Sequence, residues 1–259
     1  MEAVTYSSYL ALDEILGAQR PRSEEPDEML FIVIHQVYEL WFKQMLHELD
    51  RLADHLGTGS TTRCLDTLRR ILTILKVAVA QVDVLETMTP RQFTGFRGRL
   101  DAASGFQSAQ FRQIEAVLGR RAPSMLAPYP EGGAERTAIA ARMAAPSVFD
   151  AYCRLLAERG YPVPKAVLER DVTQPYGGSQ AVEEALAAVY ADDGPEAQVA
   201  ERLVDLDEGL QEWRYRHVKM VQRTIGDKGG TGGSSGAAYL QGTLFAPVFP
   251  DLWAVRRRL

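Results

Sequence analysis

Cysteine and histidine are scarce in these 259 residues, with two of the first and four of the second. Cys64 and Cys153 lie far apart and form no C-x-x-C pair, so a reduced compartment is expected and a single disulfide is left open. Long hydrophobic runs are missing: the apolar stretches carry charges and are much shorter than the roughly 20 residues that span a bilayer. The opening Met-Glu-Ala-Val-Thr-Tyr lacks the basic-then-apolar pattern of a secretory signal. A soluble, cytoplasmic protein with no membrane partner is the expectation. Positive charge is not in excess either. Lys and Arg number 29 against 34 Asp and Glu, a net charge of −5, which argues against nucleic-acid binding. Arg256-Arg257-Arg258 is the one basic run, and it reads as a solvated tail. No alternating strand pattern, internal repeat or clean linker is present. The expected fold is therefore all-α, a single-domain helical bundle over residues 1–259.

What is present is helical periodicity. After a short segment at Tyr6–Leu16 and a polar, proline-containing stretch, Glu28–His55 reads as one long helix. Its inward positions are Phe31, Ile34, His35, Tyr38, Phe42, Met45 and Leu49. Thr61–Met88 is a second long helix, and Pro90 opens a shorter one through about Arg99. Phe106–Leu118, Ala141–Arg159, Gln180–Ala191 and Pro195–Ile225 complete the helices. Arg120–Ala145, with prolines at 123, 128 and 130, reads as the most irregular region.

Two of the four histidines face inward. His217 lies on the stripe Leu206, Leu210, Trp213, His217, Val221, whose spacing points the imidazole into the core. His35 is bracketed by Phe31, Ile34, Tyr38 and Phe42. A buried imidazole needs a hydrogen-bond partner or a metal, since leaving it unpaired costs about 1–3 kcal/mol. His47 and His55, among acidic residues, read as helix surface. Zinc would need three or four ligands at short spacing, and no H-x-x-x-H, H-E-x-x-H or E-x-x-H pair occurs. Haem needs as few as one axial histidine, and bundle cores are common homes for it. Composition does not decide the matter.

Past the last long helix, residues 226–236 hold six glycines in eleven positions, a loop able to close over a small ligand. No Walker pattern is present: Lys228 is followed by Gly229 rather than Ser or Thr. Thr231, Ser234 and Ser235 supply hydroxyls that could meet a polar group. Phe93 and Arg97, four apart, share one face of a short helix. Arg97 reads either as an exposed residue with its stem over an apolar neighbour or as a fork for a carboxylate.

Four blocks carry a family resemblance: Thr5-Tyr-Ser-Ser-Tyr-Leu10; Phe31-Ile-Val-Ile-His-Gln-Val-Tyr-Glu-Leu-Trp-Phe-Lys-Gln44; Phe93-Thr-Gly-Phe-Arg97 with Ala103-Ser-Gly-Phe-Gln-Ser108; and Trp213-Arg-Tyr-Arg-His217 with Thr231-Gly-Gly-Ser-Ser-Gly236. In this order they resemble the tryptophan 2,3-dioxygenase family. The resemblance implies an all-helical haem b protein, active as Fe²⁺ and usually a homotetramer. Such a protein inserts both atoms of O₂ into the indole ring of L-tryptophan to give N-formyl-L-kynurenine. By the same resemblance His217 is the proximal haem ligand and His35 the distal histidine that meets the indole N–H. Arg97 holds the substrate carboxylate, and Thr231 contacts the ammonium. Phe31 and Phe93 wall the indole pocket, and Ser104 lies near the haem. Tyr6, Tyr9 and Leu10 belong to an N-terminal segment (residues 1–20) that reaches a neighbouring subunit's site.

Some positions depart from the family's habit, among them Ser7, Val37 and the compressed tail after Leu240. These leave open a related monooxygenase acting on a substituted tryptophan. A non-catalytic haem carrier is a third reading, against which the pair Arg97 and Thr231 counts.

Overall fold

Asp27–Gly57 forms a 31-residue helix, α3, and its composition explains its length. Leu, Met, Glu, Gln, Lys and His fill it, no proline follows Pro26, and Asp27 and Glu28 occupy the first turn, where acids suit the helix dipole. Its inner stripe, Ile34, Tyr38, Phe42, Met45, Leu49, Leu52 and Leu56, is buried. The chain turns through Gly59, whose φ of 67° suits glycine, and runs back as α4 (Thr61–Leu85). These spans match the expected helices to within a few residues.

This computed structural model describes residues 3–100, 107–226, 242 and 244–259. Before α3 come two single-turn helices, α1 (Tyr6–Leu10) and α2 (Leu12–Leu16). They replace the one segment expected there because Ala11 takes a left-handed conformation between them. After α4 follow α5 (Pro90–Arg97), α6 (Ala109–Val117), α7 (Ala134–Ala144), α8 (Val148–Glu158), α9 (Lys165–Leu168), α10 (Gln180–Asp192), α11 (Pro195–Ile225) and α12 (Pro250–Ala254), with a closing 3₁₀ turn, Val255–Arg258. All regular structure among the described residues is helical. None of these helices is long and apolar enough to cross a membrane.

The long α11 lies alongside α4. Gly209 permits the approach: a Cβ there would sit 2.8 Å from Leu75 Cδ2. Arg216 pairs with Asp83 and Glu86, and Arg223 with Glu86, so the two helices run in the same direction. Since α3 is antiparallel to α4, the start of α3 and the end of α11 share one end of the bundle. One hydrophobic core joins α3, α4, α8, α10, α11 and α12, where each fully buried Leu, Ile or Val contributes about 1.5–3 kcal/mol. Cys64 and Cys153 are both free thiols inside it.

The middle of the chain corrects two expectations. Ala141–Arg159 is not one helix: Pro146 interrupts it, and Ser147 starts α8 with a capping box closed by Asp150. Nor is residue range 120–145 merely irregular. It holds the 3₁₀ turn Pro123–Met125 and α7, which enclose a small second core of Ala116, Met125, Tyr129 and Ile139. The buried Arg121 ties this region together by donating to the carbonyls of Ala116, Ala145 and Val172.

The terminal arginines are exposed, as expected of a solvated tail. They are also paired: Arg257 and Arg258 each reach Glu183 at 2.9 Å, and Arg256 reaches Glu201 at 2.7 Å. These surface pairs clasp the tail to α10 and α11. Deeper, the carboxylate of Asp207, fully buried on α11, accepts from the backbone N–H groups of Val248 and Phe249 and from Trp253 Nε1, at 2.9–3.0 Å. Asp207→Ala would take the acceptor from these three donors, of which the Phe249 N–H is buried and the other two are partly buried. We expect it to cost about 2–4 kcal/mol, measured by denaturant unfolding, with faster tryptic trimming after Arg256.

Candidate functional site

At the bundle end shared by α3 and α11, the helices part around a cavity of about 350 Å³. Phe31, His35, Tyr38 and Phe42 line one side from α3, at spacings that put them on one helix face. Trp213, His217 and Met220 line the other from α11, with Val82 and Leu85 of α4 between them. Its wall is mostly apolar, with a few polar groups from Glu39, Gln107 and Ser108. The two histidines that the sequence points inward therefore do meet across one space.

Packing fixes both rings. Trp213 sits edge-on to His217 with ring centres 5.6 Å apart, and Tyr38 packs on Trp213 at 5.1 Å. Phe31 lies 4.1 Å from the His35 ring and 5.8 Å from Phe93. Burial pushes the His217 pKa down to about 4, with further lowering by His35 and Arg112. Burial also lowers that of His35, opposed by the Phe31 carbonyl and by Glu39. Both imidazoles are thus neutral at pH 7, the form that can coordinate a metal. The His35 tautomer follows from one contact. Its Nδ1 lies 2.7 Å from the Phe31 carbonyl, an acceptor only, so Nδ1 carries the proton and Nε2 is left as an acceptor.

Phe93 and Arg97 project from α5, which Thr89 and Gln92 start with a reciprocal cap around Pro90 at the first position. Phe93 packs on Phe31 and on the fully buried Phe96, so α5 lies against the cavity's aromatic wall. Arg97 is half-buried in its last turn. Tyr6 and Tyr9 are 76% and 78% exposed, and Leu10 is exposed too; none of the three lines the cavity. Ser104 and Thr231 lie outside the described residues. His47 is exposed and His55 half-buried, and neither touches the cavity.

Sequence reasoning passes over Glu39, Gln107 and Ser108. Glu39 has a signal, being four residues after His35 and so on the same face. Gln110 holds it by donating from Nε2 to both its carboxylate and its backbone carbonyl, each at 2.8 Å. Ser108 begins α6 by capping Phe111, a role readable from sequence only once the helix start is known.

The donor set decides what kind of group fits. Among the described residues no cluster of three or more His, Cys, Asp or Glu could hold a bare metal ion. A flat group that brings its own equatorial ligands, as haem does, needs only one axial nitrogen and apolar walls, and His217 beside Trp213 offers both. The Tyr38 hydroxyl, buried on the cavity wall, has no hydrogen-bond partner among the described residues, so a polar edge of such a group would satisfy it.

Comparisons with known proteins show which family the chain is similar to. The family model described as tryptophan 2,3-dioxygenase matches residues 1–132 and 186–259. Proteins named tryptophan 2,3-dioxygenase are similar over the full length. The one from Anaeromyxobacter sp. (strain K) is 65% identical over 99% of this chain and 97% of its own. That from Herpetosiphon aurantiacus is 56% identical over 100% and 99%. That from Bacillus anthracis is 42% identical over 100% and 94%.

The tautomer is directly measurable. Long-range ¹H–¹⁵N correlation of selectively ¹⁵N-His-labelled protein at pH 7 should show His35 protonated at Nδ1 and bare at Nε2. The opposite tautomer would contradict the Phe31 contact.

Proposed function

The chain belongs to the tryptophan 2,3-dioxygenase family, and on that premise we propose that it opens the indole ring of L-tryptophan with O₂ to give N-formyl-L-kynurenine. The observation that carries the reading is the pair of neutral imidazoles on facing helices, one able to ligate iron and the other able to accept an indole N–H. We read the chain as one haem-binding domain over residues 1–259, working in the cytoplasm.

His217, packed against Trp213, would hold haem b through its imidazole. Haem, when bound in the ferrous state, supplies the oxygen chemistry. The chain's own residues orient the substrate. His35 Nε2 accepts the hydrogen bond of the indole N–H, a directional contact that sets the ring's rotation about its long axis. Phe31 and Phe93 give the flat ring two apolar surfaces. A zwitterionic substrate also needs an anion clamp and a partner for its ammonium. Arg97, with its planar fork, takes the carboxylate, and Thr231 the ammonium. Ser104 is assigned a place near the haem. With its pKa held low by burial, His35 remains an acceptor through the physiological range instead of opposing the N–H with a positive charge.

We further propose a homotetramer in which Tyr6, Tyr9 and Leu10 complete a neighbour's pocket. Their exposure supports this, as does an outward stripe on α3, where Met29, Val33 and Leu40 are 43%, 37% and 51% exposed. These positions lie opposite the buried stripe of the same helix, and unpaired apolar faces of this kind mark subunit contacts.

The deciding experiment is anaerobic reduction of the haem-loaded protein, addition of L-tryptophan, admission of ¹⁸O₂ and mass analysis. Two labelled atoms in one N-formylkynurenine are expected. One atom would mean a monooxygenase, and no oxygen uptake with any indole amino acid would mean a carrier. His217→Ala should abolish stable haem binding, read from the Soret band after reconstitution; normal occupancy would refute the ligand. Arg97→Ala should keep its haem and weaken tryptophan binding by about 2–4 kcal/mol, as for loss of a charge-assisted pair, measured by spectral titration.

A further inference from the structure

Glu28 lies in the first turn of α3, yet the residue is only 2% exposed and its carboxylate reaches back to the stretch before the helix. Oε1 accepts from the backbone N–H of Arg22 at 2.8 Å. Oε2 accepts from the backbone N–H of Ser23 at 2.8 Å and from the Ser23 hydroxyl at 2.5 Å. One buried anion thereby organises the polar stretch before α3. Three charge-assisted bonds on a single side chain are far more than helix capping requires, and α3 has no side-chain cap at Pro26.

The stretch so held lies against α5. A Cβ built on Gly95 would stand 2.9 Å from the Glu25 carboxyl carbon. Arg22 Nη1 donates to the Arg99 carbonyl at 3.5 Å, just beyond the end of α5. Glu25 is in turn linked to the knot, its N–H donating to the Ser23 hydroxyl at 3.3 Å and its carbonyl accepting from Glu28. On the opposite side α5 rests on Phe31 through Phe93 and Phe96. An eight-residue helix has little stability of its own, so its seat depends on both supports.

We propose that Glu28 is a positioning residue for substrate recognition: it fixes the strap of residues 20–27 against α5 and so sets where Arg97 meets the substrate carboxylate. This rests on the reading of Arg97 as the carboxylate clamp. Glu28 touches neither substrate nor haem and acts through the strap alone. Glu28→Gln keeps the shape but turns one anionic acceptor into an amide whose NH₂ faces donors.

The test uses the haem-loaded full-length protein and two ligands, L-tryptophan and tryptamine, which lacks the carboxylate. For Glu28→Gln we expect KM for tryptophan to rise about tenfold, a loss of one good hydrogen bond's worth of binding. Meanwhile kcat, haem content and tryptamine affinity should stay within about twofold. Trypsin should cleave faster after Arg22. Ser23→Ala should move the same readouts less far, and it carries the test if Glu28→Gln does not fold.

Unchanged tryptophan KM would overturn the proposal. So would a parallel fall in haem content, kcat and melting temperature, which would mean that Glu28 only supports the fold. Arg97→Ala is the control. If it fails to narrow the preference for tryptophan over tryptamine, the clamp reading itself is wrong. If it narrows the preference and Glu28→Gln does not, only the role of Glu28 is lost.

Discussion

A neutral imidazole held inside an apolar wall is the constraint on which the rest of this structure depends. His217 cannot be placed by its own flexibility, because its neighbours on the stripe, Leu206, Leu210, Trp213 and Val221, are all buried in packing contacts. The ring goes where α11 goes, and α11 goes where its contact with α4 allows. The closeness of Gly209 to Leu75 and the clasp of Arg216 on Asp83 and Glu86 are therefore part of the site, although they lie outside it. The same holds for His35, whose helix is antiparallel to α4 and packed along its length. Burial supplies both the position of the rings and their uncharged state.

Buried carboxylates form a second layer of organisation. Asp207 gathers the returning tail onto α11, ten residues before His217, and Glu28 gathers the entry strap onto α3, seven residues before His35. Glu115 accepts from both Arg112 and Arg120 near the start and the end of α6. Each anion is paired by several donors, as its withdrawal from water demands. In each case an irregular segment is attached to a long helix that bears a cavity residue, or to the short helix beside it. The helices supply rigidity, and the anions connect the loops to it.

The parts legible in the sequence were those governed by periodicity. The long helices α3, α4 and α11, the inward turn of His35 and His217, and the shared face of Phe93 with Arg97 follow from 3.6-residue spacing and from capping residues. The middle was harder. Ala134–Ala144 is alanine-rich with a weak apolar stripe, and Pro146 divides two helical stretches that one periodic pattern spans. The exposure of Arg256–Arg258 is legible, but not their partners Glu183 and Glu201, acids more than fifty residues distant, whose proximity only the folded chain creates. The cavity's polar contributors Glu39 and Ser108 escaped for a like reason: a carboxylate or hydroxyl on a helix face means nothing until the opposite wall is known.

Cys64 and Cys153 are sealed in the core, and burial pushes the first thiol up to about 11 and the second higher still. Neither offers a thiolate at neutral pH, and cysteine sulfur is oxidised chiefly through its thiolate. A catalyst that handles molecular oxygen thus carries no thiol that stray oxidants can readily attack while it stays folded. For its cysteines, loss of native shape has to come before sulfenylation, so unfolding and not slow surface chemistry governs how they age.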